Sequence, residues 1–162
     1  MKQLALTLLV GLLAAPALAL SCLPPDAVFI YQQIKKDPAD YLLIKGTVML
    51  GEPANLPLRT DTKTTDAQTK ARVTGHALTR TGFQVAFDAP ITIRATCTGP
   101  WCGTPEGLAD GAYILALKLE DVQPVLTRGP CGGLIVPWSA ADEQRLLTCH
   151  LGGECQSQIF LK

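Results

Sequence analysis

The chain has 162 residues, with 14 basic and 14 acidic side chains that cancel to a formal charge of zero. That length suits one domain with a buried core, and the lack of any basic excess argues against a phosphate-rich partner. Aromatic residues are sparse, at 6% of the chain, which also speaks against the stacking surface of a single-strand nucleic-acid binder.

The first residues, MKQLALTLLVGLLAAPALALSC, read as a targeting segment. Lys2 supplies the positive start, Leu4 to Ala15 an apolar stretch, and Ala17-Leu18-Ala19 a small-x-small cleavage site. Gly11 and Pro16 interrupt the run, which falls short of the roughly 20 apolar residues of a membrane-spanning helix. A signal peptide over 1–19 is therefore expected, with one domain over 20–162. Ala19-Leu20-Ser21-Cys22 also resembles a bacterial lipobox, although Ala stands where Leu is usual. Processing there would remove 1–21 and lipidate Cys22. The two outcomes are exclusive, because a lipidated sulfur cannot enter a disulfide. The expected location is periplasmic or secreted, or else lipid-anchored in the cell envelope.

Pro24-Pro25 rules out a helix at the start of the mature chain. Ala27 to Lys36 fits a short helix or an extended lead-in, ended by Pro38. Tyr41 to Leu50 is rich in branched and aromatic residues and reads as a strand, with Gly46 marking a bulge or tight bend. A loop follows over 51–57. The Thr-rich stretch after it is expected to give one or two exposed strands closing at Thr81-Gly82. Phe83, Val85 and Phe87 then share one face of a strand, and Ile91, Ile93 and Ala95 follow after a break at Ala89-Pro90. A Gly- and Pro-rich loop, CTGPWCGTPEGLADG, leads to a strand over AYILALKLEDV with Tyr113, Leu115, Leu117 and Leu119 on one face. The last strand is expected around Leu134 to Val136.

Ser139 is a good N-cap, and Asp142 three residues later completes a capping box. Asp142 and Glu143 also suit the positive end of a helix dipole. Leu146, Leu147 and Leu151 recur at helical spacing and are expected to dock on the sheet, while Gly152-Gly153 ends the helix. Trp138, at the corner before the helix, is expected as a core plug beneath it.

Six cysteines, at 22, 97, 102, 131, 149 and 155, form an even set in an exported chain and read as three disulfides. Zinc is the competing use of Cys97-x4-Cys102 and Cys149-His150. With no CxxC pair and no second clustered His, no metal site is expected.

The block Cys131, Ile135-Val136-Pro137-Trp138, Gln144, Leu147 and Gly153-Glu154-Cys155 resembles the netrin-like module, and within it the N-terminal domain of tissue inhibitors of metalloproteinases. The entry from Cys102 into a long strand, the strand DYLLIKGTV and the segment SCLPPDAVF are similar to that family in order and spacing. The resemblance implies a mainly β fold, a five-stranded OB-type barrel with a C-terminal amphipathic helix and disulfides. It implies a bond from Cys22 to Cys131. The family's second N-terminal cysteine, which pairs with the position of Cys102, is missing here. Cys97 is then left for Cys102, and Cys149 for Cys155.

In the metalloproteinase inhibitors, the free amine and carbonyl of an N-terminal Cys chelate the catalytic zinc. Cleavage after Ala19 would leave Leu20-Ser21 ahead of Cys22, and lipidation would block the amine, so zinc-directed inhibition is not expected to carry over. His76 and His150 sit in no recognisable nucleophile motif, and the chain has no phosphate loop, HExxH or Gly-x-Ser-x-Gly. No catalytic residue and no cofactor are expected. The reading that remains is an envelope binding module, with Trp101, Pro100 and Gly103 of the half-cystine loop as its contact surface; the competing expectation for Trp101 is that it folds back on the barrel. An envelope protein or a protease is the expected partner, nucleic acid is not, and membrane contact would come only through a lipid anchor on Cys22. The alternatives are a protease-binding protein like the metalloproteinase inhibitors and, behind it, a small envelope enzyme.

Overall fold

The structure is a computed structural model that describes residues 22–51, 58–59, 64–99, 101–105, 107–108 and 111–160. The targeting segment with its alternative cleavage sites, the loop beyond Gly51 and Pro100 lie outside the described residues.

Helix α1 covers Ala27–Lys36. Asp26 caps it, its carboxylate accepting the Phe29 N–H at 2.7 Å, and Lys35 and Lys36 face the negative end of the dipole. Pro38 disfavours helical backbone at the residue before it, and Asp37 is extended. Among the described residues ten strands follow: β1 Tyr41–Leu50, β2 Leu58–Arg59, β3 Thr64–Thr65, β4 Ala67–Thr79, β5 Gly82–Ala95, β6 Cys97–Thr98, β7 Trp101–Cys102, β8 Ala112–Glu120, β9 Gln123–Arg128 and β10 Ile135–Pro137. Helix α2, Ala140–His150, and a 3-10 turn over Gln158–Phe160 complete the fold.

Five strands form a ring. Antiparallel pairs join β1 to β4, β4 to β5 and β8 to β9. A parallel pair joins β5 to β9, and β1 against β8 closes the circle. β10 extends the free part of the β8 edge. β1 pairs with β8 over Tyr41–Thr47 and with β4 over Ile44–Leu50, in unbroken register through Gly46, so no bulge is present there; Gly46 lies directly opposite Gly75 of β4. A Cβ on Gly46 would come within 2.3 Å of the Thr74 carbonyl oxygen, and one on Gly75 within 2.1 Å of that of Lys45. The two strands approach so closely only because neither residue has a side chain.

Ile44, Val48, Val73, Ile93, Leu115, Leu117 and Leu126 fill the ring. A second core lies outside it, where Leu43, Ile114 and Ala116 of β1 and β8 meet Ala27 and Ile30 of α1 and Leu146 of α2. β8 is therefore buried on both faces over Tyr113–Leu117, which explains its unbroken apolar sequence. Three disulfides tie the chain: Cys22–Cys131, Cys97–Cys102 and Cys149–Cys155.

Several expectations need correction. The Thr-rich stretch yields the two-residue strands β2 and β3 and one long strand, β4; β4 has Ala67, Thr69, Ala71 and Val73 buried, so it is half-buried rather than exposed. β5 runs through Pro90 without a break, because the strand pairs with β9 only from Thr92 onward and a missing N–H on an open edge costs no ladder bond. Phe83, Val85 and Phe87 do not share one environment. A bulge at Ala77/Leu78 leaves Gln84 unpaired, so Phe83 joins the outer core, Phe87 the inner one, and Val85 is exposed. The segment after Glu120 contains an additional strand, β9, reached through a two-residue turn at Asp121 and Val122, both with positive φ. In α2, Leu146 and Leu147 pack as expected, but Leu151 is exposed just beyond the helix.

Candidate functional site

Trp101 stands on a small hairpin at one end of the ring. β6 and β7 pair so that Cys97 faces Cys102 and Thr98 faces Trp101. The Cys97–Cys102 bond closes the hairpin, and Trp101 is 50% exposed at its tip. An indole held half in water on a cross-linked hairpin loses little freedom when a partner covers it.

The hairpin is fastened to the end of β9 by backbone contacts. The Thr96 N–H donates to the Arg128 carbonyl at 2.8 Å, and the Gly103 N–H donates to the Thr96 carbonyl at 2.9 Å. Arg128 Nε donates to the Thr104 carbonyl at 3.2 Å. Burial pushes the Arg128 guanidinium below its ordinary range, with an opposing contribution from Tyr113. Gly103 has a packing reason to be glycine, since a Cβ there would lie 2.2 Å from the Arg128 carbonyl oxygen. Its place in the site is to let the hairpin seat against β9. Three residues beyond Arg128, Cys131 holds Cys22, so the start of the described chain joins the same end of the ring.

Trp138 is not a core plug. It is 41% exposed, and its Nε1 donates to Glu143 Oε2 at 2.7 Å. Lys45 Nζ donates to the other Glu143 oxygen at 2.7 Å and lies 5.9 Å from the Trp138 ring centroid and 5.7 Å from that of Phe83, within cation–π range. Burial raises the Glu143 pKa, but the bonds from Lys45 and Trp138 outweigh it and hold the carboxyl below its ordinary range. The ion pair pins the first turn of α2 to β1, and the indole forms one wall of it.

His150 Nε2 donates to the Thr79 carbonyl at 2.8 Å, since a carbonyl can only accept. With the proton on Nε2, Nδ1 accepts from the Tyr31 hydroxyl at 3.1 Å. Both ring nitrogens are thus spent on joining α1, α2 and the β4–β5 turn. His76 is exposed on β4, opposite Lys45 and Ala86. Among the described residues, no three His, Cys, Asp or Glu side chains are grouped so as to hold a metal ion.

Sequence reasoning missed a third cluster, around Arg145. Asp26 Oδ2 accepts the Gln158 N–H at 2.6 Å and an Arg145 N–H at 3.4 Å. Arg145 also pairs with Asp142. Burial raises the Asp26 pKa, but the N–H groups of Gln158 and Phe29, the Ser157 hydroxyl and the Arg145 charge together lower it overall. A cleft of about 400 Å³ opens beside this cluster, walled by Leu23, Pro24, Pro25 and Ile159. Its charged groups already satisfy one another.

Compared with protein families, curated proteins and solved structures, the chain matches none.

Proposed function

We propose that this protein is an exported, non-catalytic binding module of the cell envelope, built on a netrin-like OB barrel, with the Trp101 hairpin as its contact surface. The observation that carries the reading is Trp101 itself, half-exposed between two bonded cysteines on a hairpin anchored to the barrel. Large aromatic side chains in that state are the usual anchors of protein contacts.

The strand order β1-β4-β5-β9-β8, closed by β1 against β8 and containing one parallel pair, supports the OB-type barrel and through it the likeness to netrin-like modules. Three disulfides support export to an oxidising compartment. Among the described residues no helix is long and apolar enough to cross a membrane. The sulfur of Cys22 is bonded to Cys131, which favours cleavage after Ala19 over a lipid anchor. The full occupation of both His150 nitrogens supports a structural rather than a general-base role for that residue.

Zinc-directed protease inhibition is not part of this reading. A chelating amine must sit directly on the metal, and Leu20-Ser21 would enter the cleft before Cys22. The mature protein, its N-terminus determined first, should leave a panel of zinc endopeptidases fully active. The binding reading itself is tested by affinity capture from envelope extract with the mature protein and with Trp101→Ala. The same specific partner should be retained by the first and lost by the second. Equal retention by both would remove the hairpin from the contact surface.

A further inference from the structure

Arg128 differs from the other arginines that fold onto the protein. Arg72 pairs with Asp88, Arg94 with Glu120, and Arg145 with Asp26 and Asp142. The bonds to Asp88 and Glu120 raise the pKa of their arginines. Arg128 is half-buried, and among the described residues it enters no ion pair. Burial moves its guanidinium the other way, downward, against an opposing contribution from Tyr113. A cation drawn out of water with no counter-ion is uncommon, because nothing offsets the cost of its desolvation.

The guanidinium is held in place but not used up. Its Nε donates to the Thr104 carbonyl at 3.2 Å, in a bond that lies at the surface. Arginine carries five N–H donors in a fixed fork, so the donors of both Nη atoms remain. That end of the fork matches the two oxygens of a carboxylate. Among the described residues no second cation acts on Arg128, so the site offers one positive charge, which one carboxylate balances.

The position joins this charge to the Trp101 hairpin. The Arg128 carbonyl accepts the Thr96 N–H at the foot of the hairpin. Thr104, which receives Nε, follows Trp101 by three residues, a span of at most about 10–11 Å. An extended segment of about three or four residues is long enough to cover the half-exposed indole and reach the fork. We infer that Arg128 is a second anchor of this surface and takes a carboxylate of the partner, close in sequence to the apolar group that covers Trp101. The inference rests on the binding role proposed for the hairpin and adds the chemistry of the partner.

The probes are three acetylated apolar peptides of one length: one with a central Glu and an amidated end, one with Gln in its place, and the Gln peptide with a free C-terminal carboxylate. Each is titrated into the ¹⁵N-labelled mature protein while the Trp101 indole N–H and the Arg128 Nε–H are followed. At least one acidic peptide should move both signals with a dissociation constant on the order of 1 mM, roughly tenfold tighter than the neutral one. Which acid does so tells a side-chain carboxylate from a chain end. Arg128→Gln should abolish the preference, and Arg128→Lys should keep part of it. Equal binding of all three peptides, or of none, overturns the proposal, and this comparison in the unsubstituted protein stands even if Arg128→Gln fails to fold. So does a preference that survives Arg128→Gln. Glu106 and Asp110, the acidic residues next along the chain from Thr104, lie outside the described residues. Glu106→Gln and Asp110→Asn should leave the preference unchanged; a roughly tenfold gain in either would mean that its own carboxylate already occupies Arg128, and would overturn the proposal. If all three peptides move Trp101 alike, the hairpin surface stands and the carboxylate is refuted. If the acids move Arg128 but not Trp101, the carboxylate site stands and the hairpin reading is refuted.

Discussion

The backbone N–H of Gln158 donates to the carboxylate of Asp26 at 2.6 Å across 132 residues of sequence. The same carboxylate caps α1 through Phe29 and receives Arg145 from α2. One side chain thus fastens the start of the described chain, the last helix and the C-terminal turn. None of these contacts has a local sequence signature beyond an Asp before a helix.

Asp26→Ala should therefore cost more than an ordinary cap. Losing the cap alone is worth about 1 kcal/mol, and leaving Arg145 and the Gln158 N–H short of a partner adds about 1–2 kcal/mol more. Urea denaturation should show a total near 2–3 kcal/mol. The pH dependence has a fixed sign. The folded-state pKa of Asp26 lies below its ordinary value of 3.8, so its contribution is present above that value and is lost as pH falls through the lower folded one. Asp26→Asn should flatten the acid limb of the stability profile below about pH 4.

Trp138 separates two accounts of the helix corner. A buried Trp plug truncated to Ala would cost about 3–5 kcal/mol. The exposed indole beside Lys45 and Glu143 should cost no more than about 1–2 kcal/mol, the sum of one charge-assisted hydrogen bond and a partly screened cation–π contact. Equilibrium denaturation of Trp138→Ala reads the difference directly.

Gly103→Ala tests how the hairpin is held. The added methyl would meet the Arg128 carbonyl oxygen at 2.2 Å, and backbone on both sides leaves no flexible group to yield. A loss of about 1–3 kcal/mol is expected, with amide shift changes concentrated at Thr96, Arg128 and the hairpin. Thr98→Ala, at an exposed position on the same hairpin, should leave the seating against β9 intact.

Much of the fold was legible where the signals are local. The limits of β1 come from a run of branched residues before a glycine. Those of α2 come from Ser139 and Asp142 at one end and Gly152 at the other. β9 was not legible because its turn, Asp121-Val122, adopts positive φ without a glycine or asparagine to announce it. Pro90 suggested a break because sequence does not tell which edge of a strand lacks a neighbour. Trp138 looked like core because the residue that draws it to the surface, Glu143, is itself held by Lys45 from 98 positions away. The candidate site divides in the same way. Trp101 is set out by the cysteines around it, whereas the packing reason for Gly103 lies in Arg128, on another strand.

The central claim, that the Trp101 hairpin is the surface through which this protein meets its partner, is tested most directly by site-specific photocrosslinking. A photoreactive phenylalanine would replace Trp101 in one variant and Val122 in another. Val122 is also exposed, at the tip of the β8–β9 hairpin. Irradiation in intact envelopes should give a discrete adduct from position 101 and none of the same mass from position 122. Absence of any adduct at 101, or the same adduct from both positions, would contradict the account.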